Sequence, residues 1–321
     1  MFTCPVCQQA LTEAADIAIA CPCGLVYPRL TSGGIDFLRG EEFKDFDWDP
    51  DDNAQQEMLE QEAVGIAWRI ESFLIPLFGR FGRSTKRDRR KLTVLDCGCG
   101  SGLSVDILNA HGIPAFGIDA GGARHRQWKF RSFGHRLHSA NALHLPFGTG
   151  SFDVVFSSGL IEHIGIQEEE TGTYRARRLA DCHAQRQQFV RELVRVLKPE
   201  GFILLDHPNG GSPADFWHGG APGSIRWHAL WGDMLPRFGE ISGYFRAADR
   251  SLRLYSLSPR HRLQFNKVRN HWYGNAFAPL MKIWFRMIEI RALSFLARGF
   301  LNPYLVTVAS RQPDAGTWLQ K

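Results

Sequence analysis

The sequence predicts an α/β fold, a doubly wound and mostly parallel sheet, and three observations predict it. Between residues 92 and 206, short apolar runs alternate with amphipathic stretches, as strands do when crossover helices join them. A glycine-rich turn, Asp96-Cys97-Gly98-Cys99-Gly100-Ser101-Gly102, links the first of these runs to the first helix. The run 201–206 (GFILLD) is almost continuously apolar between Pro199 and Pro208, which suits a central strand buried on both faces.

In order, the pattern reads as a strand at 92–95, a helix at 101–110, a strand at 115–118, a helix at 122–131 and a weak strand near Leu137. A strand at 154–157, a helix at 189–197, the strand 201–206 and a final strand at 304–310 (YLVTVAS) follow. Upstream, Met58, Leu59, Val64, Ile66, Trp68, Ile70, Phe73 and Leu74 suggest one or two helices, and the basic run 83–91 (RSTKRDRRK) reads as a solvated loop. Residues 1–40 are rich in Cys, Gly and Pro and poor in helical periodicity, and 41–53 (EEFKDFDWDPDDN) is an acidic linker. The expected organisation is a cysteine-rich module at 1–40, a linker with helices at 41–90, and a main domain at 91–321 with insertions at about 207–300.

The 321 residues, 44% of them hydrophobic, suffice for one large core and a smaller accessory. A net charge of +5 and an isoelectric point near 8.9 admit acidic partners such as RNA or anionic lipid but fall short of a dedicated nucleic-acid binder. The beginning of the chain has neither a basic segment nor a long apolar run, so a cytoplasmic protein is expected, in which cysteines ligate metal rather than pair. The apolar stretch 277–300 is broken by Lys282, Arg286, Glu289, Arg291 and Arg298 and is not expected to span a membrane. Its apolar face (Leu280, Met281, Ile283, Trp284, Met287, Ile288) suits ordinary burial, a lid, a dimer face or peripheral contact with a membrane surface.

The glycine turn lets the backbone approach a ligand closely and puts the free N–H groups of a helix N-terminus behind it. The next strand ends Gly117-Ile118-Asp119, which places a carboxylate where it can accept both ribose hydroxyls of an adenosine cofactor. These residues, with those downstream, carry a resemblance. Val94-Leu95-Asp96-Cys97-Gly98-Cys99-Gly100-Ser101-Gly102 resembles the first motif of class I S-adenosylmethionine-dependent methyltransferases, and Gly117-Ile118-Asp119 the second. Asn141-Ala142-Leu143-His144-Leu145-Pro146-Phe147, followed by Ser151-Phe152-Asp153-Val154-Val155, is similar to the corresponding stretch of the ubiquinone and menaquinone methyltransferases. Ile161-Glu162-His163-Ile164 resembles their L-E-H-I, and 193–201 (LVRVLKPEG) their joint before the fifth strand.

The resemblance covers roughly residues 90–210 and implies a Rossmann-like, seven-stranded fold and S-adenosylmethionine as cofactor. It implies that Gly98, Gly100 and Gly102 face the methionine portion with Asp96 near its amino group, that Asp119 takes the ribose, and that Asn141 and Ala142 take the adenine. Ser157 would border the pocket. Asn141 departs from the family's usual Asp; an amide both accepts and donates. The absence of an Asn-Pro-Pro-Tyr-like element after the fourth strand disfavours base-amine methylation.

Methyl transfer needs alignment more than chemistry from the protein, with a base where the acceptor is a hydroxyl. His163, after the fourth strand, and His207, after the fifth, are the candidates, each also readable as a structural histidine. The acceptor is expected to be a small molecule, a lipid-linked intermediate or a sugar, held beside the aromatic stretches 216–218 (FWH) and 225–231 (IRWHALW). An RNA methyltransferase and a non-catalytic cofactor-binding partner stay open as alternatives. Cys4-x2-Cys7 and Cys21-x-Cys23 supply four thiolates, the number that closes a tetrahedral structural zinc site. With Tyr27-Pro28 and 34–38 (GIDFL), they resemble a zinc ribbon, although the second knuckle is one residue short.

Overall fold

The computed structural model describes residues 2–15, 17–39, 53–169, 175–219, 224–230, 233–261 and 272–319. The acidic linker lies outside them as far as residue 52, as does Trp231. In chain order the first elements are β1 (Thr12–Ala15), β2 (Ala18–Ala20), β3 (Val26–Pro28), α1 (Asn53–Arg69), a π-helical turn (Ile70–Leu74) and α2 (Ile75–Ser84). Then come β4 (Val94–Cys97), α3 (Leu103–Ala110), β5 (Ala115–Asp119), α4 (Gly122–Trp128), β6 (Leu137–Ser139) and β7 (Phe152–Ser158). They are followed by β8 (Ile166–Glu169), β9 (Arg175–Arg178), α5 (Cys182–Val196), β10 (Leu197–Pro208), β11 (Ala214–Asp215), β12 (Arg226–Trp227) and α6 (Phe238–Ala248). The last are β13 (Arg253–Leu257), α7 (Trp272–Met287), β14 (Tyr304–Ser310) and α8 (Ala315–Leu319).

The main sheet has seven strands in the order β13-β14-β10-β7-β4-β5-β6, as expected of the Rossmann-like class. β4 pairs in parallel with both β5 and β7, and β5 with β6, whereas β13 and β14 are antiparallel. The chain therefore moves one way from β4 through β5 to β6 and then returns to β4's other side with β7. That reversal opens a crevice at the carboxyl end of β4, where this class of sheet binds ligands. By compactness the chain divides into residues 1–157 with 192–202, and residues 158–191 with 203–321.

In the first unit, β1, β2 and β3 form a small antiparallel sheet. The segment after it lies along β6: Ser139 N donates to Ile35 O at 2.9 Å and Phe37 N to Ser139 O at 2.8 Å. Phe2 bridges Phe147, and His138 sits among the rings of Phe2 and Phe37 while its Nδ1 accepts Ile35 N at 3.2 Å. Burial pushes the His138 ring down to about 3, so it is neutral and can accept that bond. The cysteine-rich module thus covers a sheet edge that would otherwise present unpaired backbone groups.

The basic run 83–91 is largely exposed, as expected, but is not all loop. It comprises the end of α2 and a short 3-10 turn at Arg89–Lys91, and Arg87 reaches Asp153 at 2.7 Å and Glu200 at 2.9 Å. Asp153 also accepts Lys198 Nζ at 2.8 Å and the amide and hydroxyl of Thr93 at 2.9 and 2.8 Å. A second clamp fastens the 141–147 stretch. Arg195 donates to Leu145 O at 2.9 Å and Phe147 O at 2.6 Å, while Glu192 accepts Leu145 N at 2.7 Å. The helix expected at 189–197 begins earlier, at Cys182. Its first turns escape an apolar-periodicity reading because a fully buried position is Arg186, which donates to the carbonyls of Glu162 (3.1 Å), Ile164 (3.0 Å) and Met234 (2.5 Å). The strand at 304–310 falls where expected.

In the stretch 277–300, helix α7 is followed by a 3-10 segment, Arg291–Arg298. Phe285 and Ile288 are buried, but Phe277, Leu280, Ile283 and Met287 are exposed. Among the described residues no helix is long and apolar enough to cross a membrane.

Candidate active site

The glycine turn is built as its sequence demands. Gly98, Gly100 and Gly102 have φ of 88°, 52° and 75°, a region side-chain-bearing residues rarely adopt. Gly98 N and Cys99 N both donate to Ile118 O at 2.9 Å, tying the turn to the neighbouring strand. A Cβ at Gly102 would be driven into the Leu137 side chain, and one at Gly117 would come within 2.8 Å of Cys99 Sγ. At Gly100 the nearest heavy atom would be Glu62 Oε1 at 4.0 Å, so the space above this residue is open to a ligand.

Asp119, at the end of β5, accepts Gly100 N at 2.8 Å through one carboxylate oxygen and Gly121 N at 2.9 Å through the other. Burial pushes its carboxyl upward, opposed by those two amides and by Arg124 and His125. Trp128 Nε1 donates to Gly100 O at 2.8 Å and Arg131 Nε to Ser101 O at 2.8 Å, so the turn's outward carbonyls are held. Glu62 of α1 pairs with Arg124 at 3.0 Å, which brings α1 beside the same loop.

Asp96 is buried beneath the turn and accepts the hydroxyl of Ser104 on α3. Asn141 Oδ1 accepts Leu143 N at 2.9 Å, an Asx turn that orients the amide group toward its own loop. Ser157 is fully buried, and its Oγ has no hydrogen-bond partner among the described residues. Cys97 and Cys99 are buried, and burial pushes both thiols well up, so they are packing groups rather than nucleophiles. The predicted residues Asp96, Gly98, Gly100, Gly102 and Asp119 therefore come together at the carboxyl ends of β4 and β5.

Cys4, Cys7, Cys21 and Cys23 also converge, with all four sulfurs within 4.8 Å of one another. The Cys7–Cys21 and Cys4–Cys23 sulfur separations are 3.3 and 3.9 Å, against about 3.8 Å for a tetrahedron with zinc–sulfur bonds near 2.3 Å. The donor set and spacing fit zinc, and the shortened second knuckle does not prevent the thiolates from meeting.

In the second unit, His207 is fully buried with Nδ1 on Pro208 O at 2.7 Å, and burial pushes its ring downward. It is therefore the neutral Nδ1–H tautomer, with the Nε2 lone pair available. His163 Nε2 lies 3.5 Å from His218 Nε2, and buried Glu162 adjoins the pair. His218 Nδ1 meets Asp215 Oδ2 at 2.9 Å, and Arg226 bridges Asp215 and Asp233. Burial alone would raise the Asp215 carboxyl, but His218, the Trp217 amide and Arg226 hold it at about 2. Sequence reasoning singled out His163, placed His218 only within an aromatic stretch beside the acceptor, and assigned no role of its own to Glu162 or Asp215. More than fifty residues separate Glu162 and His163 from Asp215 and His218, and no local spacing announces the contact.

Residues 95–205 match the profile of the family described as Methyltransferase domain. This stretch is a methyltransferase domain. Among curated relatives, a Mycolicibacterium smegmatis protein named "Probable S-adenosylmethionine-dependent methyltransferase" is 29% identical over 116 residues, 36% of this chain and 38% of that protein. The ubiquinone biosynthesis O-methyltransferase of Caulobacter vibrioides is 30% identical over 120 residues, 36% of this chain and 40% of that protein. The chain thus spans about two-fifths of the length of the curated relatives it matches. A solved TehB-like S-adenosylmethionine-dependent methyltransferase from Corynebacterium glutamicum aligns over 81% of this chain and all of that one at 14% identity, with a TM-score of 0.44.

Proposed function

We propose that the chain is an S-adenosylmethionine-dependent methyltransferase acting on a small-molecule, lipid-linked or sugar acceptor. The observation that carries the reading is Asp119 bonded to the Gly100 amide beneath an open glycine turn, inside a methyltransferase domain. S-adenosylmethionine, when bound, supplies a methyl group on a sulfonium, already activated for displacement. Gly98, Gly100 and Gly102 admit the methionine portion, with Asp96 near its amino group. Asp119 accepts the ribose hydroxyls, and Asn141 and Ala142 meet the adenine, with Ser157 at the pocket border.

An acceptor aligned in line with that methyl group would receive it, the donor would be left as a neutral thioether, and the acceptor's proton would pass to a base supplied by the chain. His163 and His207 are the candidate bases. His207 presents a neutral Nε2 lone pair, but in surroundings that disfavour the imidazolium, so it holds a proton poorly. The four cysteines would hold a structural zinc whose binding free energy stabilises a module too small to fold on apolar burial alone.

RNA is the weaker reading of the acceptor, because two arginines of the basic run, Arg87 and Arg90, are in ion pairs within the protein. Peripheral membrane contact through the exposed apolar residues of α7, beside Lys282 and Arg286, suits a lipid-linked acceptor. Calorimetric titration with S-adenosylhomocysteine tests the cofactor site. Saturable binding that is weakened in Asp119→Ala is expected, and a folded, zinc-loaded chain that binds nothing would refute the reading.

A further inference from the structure

We propose that Glu162, His163 and His218 form a second metal site, independent of the cysteines, that holds one zinc-class divalent cation. The first support is tautomeric. Asp215 Oδ2 receives His218 Nδ1 at 2.9 Å and two guanidinium nitrogens of Arg226 at 3.0 and 2.9 Å, while its Oδ1 takes the backbone amides of Trp217 and His218. A carboxylate so surrounded is an acceptor only, so His218 donates from Nδ1 and turns Nε2 toward His163. An aspartate behind an imidazole, fixing its tautomer and orientation, is the arrangement metal-bound histidines use.

The second support is metric. The two Nε2 atoms are 3.5 Å apart, and a carboxylate oxygen of Glu162 lies within 4.8 Å of both. An ion about 2.05 Å from each nitrogen would see them at an angle of about 117°, near tetrahedral, whereas a right-angle octahedral pair would sit about 3.0 Å apart. Two imidazoles and one carboxylate are the donor set of zinc sites that keep a fourth position for water or another oxygen donor. The third support is Glu162 itself. It is 1% exposed, and its Oε2 accepts no hydrogen bond among the described residues. A hydrogen bond between the two rings would explain their approach but not the buried carboxylate beside them; a shared cation accounts for all three donors meeting.

Asp215 is a positioning residue in this scheme; with its Nε2 on the cation His163 cannot also take the acceptor's proton, which leaves His207 as the base, and the inference stands whether or not the chain transfers methyl groups. The test is metal content of the full-length chain, equilibrated with zinc and dialysed, with cobalt substitution to tell the sites apart. Thiolate-to-cobalt charge transfer reports the cysteines and is absent from a nitrogen–oxygen site. Wild type is expected to hold two equivalents, and the double variant Glu162→Gln/His218→Asn one, with the charge-transfer band unchanged. Asp215→Asn is expected to weaken the second equivalent about 10- to 100-fold while leaving the first. Should the double variant fail to fold, an anomalous difference map of wild-type crystals at the zinc edge decides. A peak between His163 Nε2 and His218 Nε2 upholds the site. Equal metal content in wild type and a folded double variant, or no such peak in zinc-equilibrated crystals, overturns it.

Discussion

The carboxylate of Asp119 accepts the backbone amide of Gly100 at 2.8 Å, joining the end of one parallel strand to the turn that follows its neighbour. One residue therefore does two things: it shapes the glycine turn and presents a carboxylate at the crevice. Replacing Asp119 by Ala should weaken S-adenosylhomocysteine by about 10- to 100-fold, the worth of hydrogen bonds to a charged group. Asp119→Asn should retain part of the affinity, since its amide oxygen still accepts. Calorimetry on both variants checks the order, and equal affinity in wild type and Asp119→Ala would remove Asp119 from the site.

Two glycines of the same turn should fail in different ways. Gly102→Ala forces a methyl into Leu137 at a φ of 75°, and a loss of about 2–4 kcal/mol in unfolding free energy is expected. Gly100→Ala meets open space, so only the cost of the left-handed conformation, about 1 kcal/mol, should appear in a denaturant melt. Its methyl occupies the ligand's volume, however, and cofactor binding should be lost from a protein that is still folded.

Asp153 predicts an acid-labile joint. Burial would raise its carboxyl, but Lys198 and Thr93 outweigh that and bring it below the ordinary 3.8. The folded state then binds fewer protons than the unfolded chain, so this stabilisation is present above the ordinary value and is lost as pH falls from there through the lowered folded-state value. Because Arg87 and Lys198 are each more than a third exposed, Asp153→Asn should cost only about 1–3 kcal/mol at neutral pH. The difference between wild type and variant should shrink in melts run below pH 4.

Metal removal should act at a distance from the cysteines. Stripping zinc from Cys4, Cys7, Cys21 and Cys23 should release the Ile35–Ser139 and Phe37–Ser139 backbone pairing, because the module has little core of its own. Hydrogen exchange at Phe37 and Ser139 should rise on chelation and recover on zinc return. Unchanged protection would mean that the module folds without metal.

Much of this molecule was legible in local sequence, for a reason that differs from residue to residue. Gly98, Gly100 and Gly102 are needed by backbone conformation within a single turn, and Asp119 follows from where the next strand must end. Two stretches read as cofactor motifs also serve the scaffold: Asp153 gathers Arg87, Thr93 and Lys198, and Arg195 holds the carbonyls of Leu145 and Phe147. The opening turns of α5 were not legible, because a core position there is filled by Arg186 and defeats any count of apolar residues. The basic run at 83–91 was legible as solvated, but the acids that pair with Arg87 were not, because they lie more than sixty residues away in sequence.

By itself the sequence determined the class of sheet, the glycine turn with its acidic partner, and the four cysteines available to a metal. Each of these rests on conformational or donor requirements confined to a few neighbouring residues. Only the tertiary structure decided that the cysteine-rich module pairs with the β6 edge, that His207 is buried with its Nδ1 proton on a carbonyl, and that Glu162, His163, His218 and Asp215 converge. Those groups meet across fifty or more residues of chain, or through burial that no spacing encodes, and it is packing rather than propensity that brings them together.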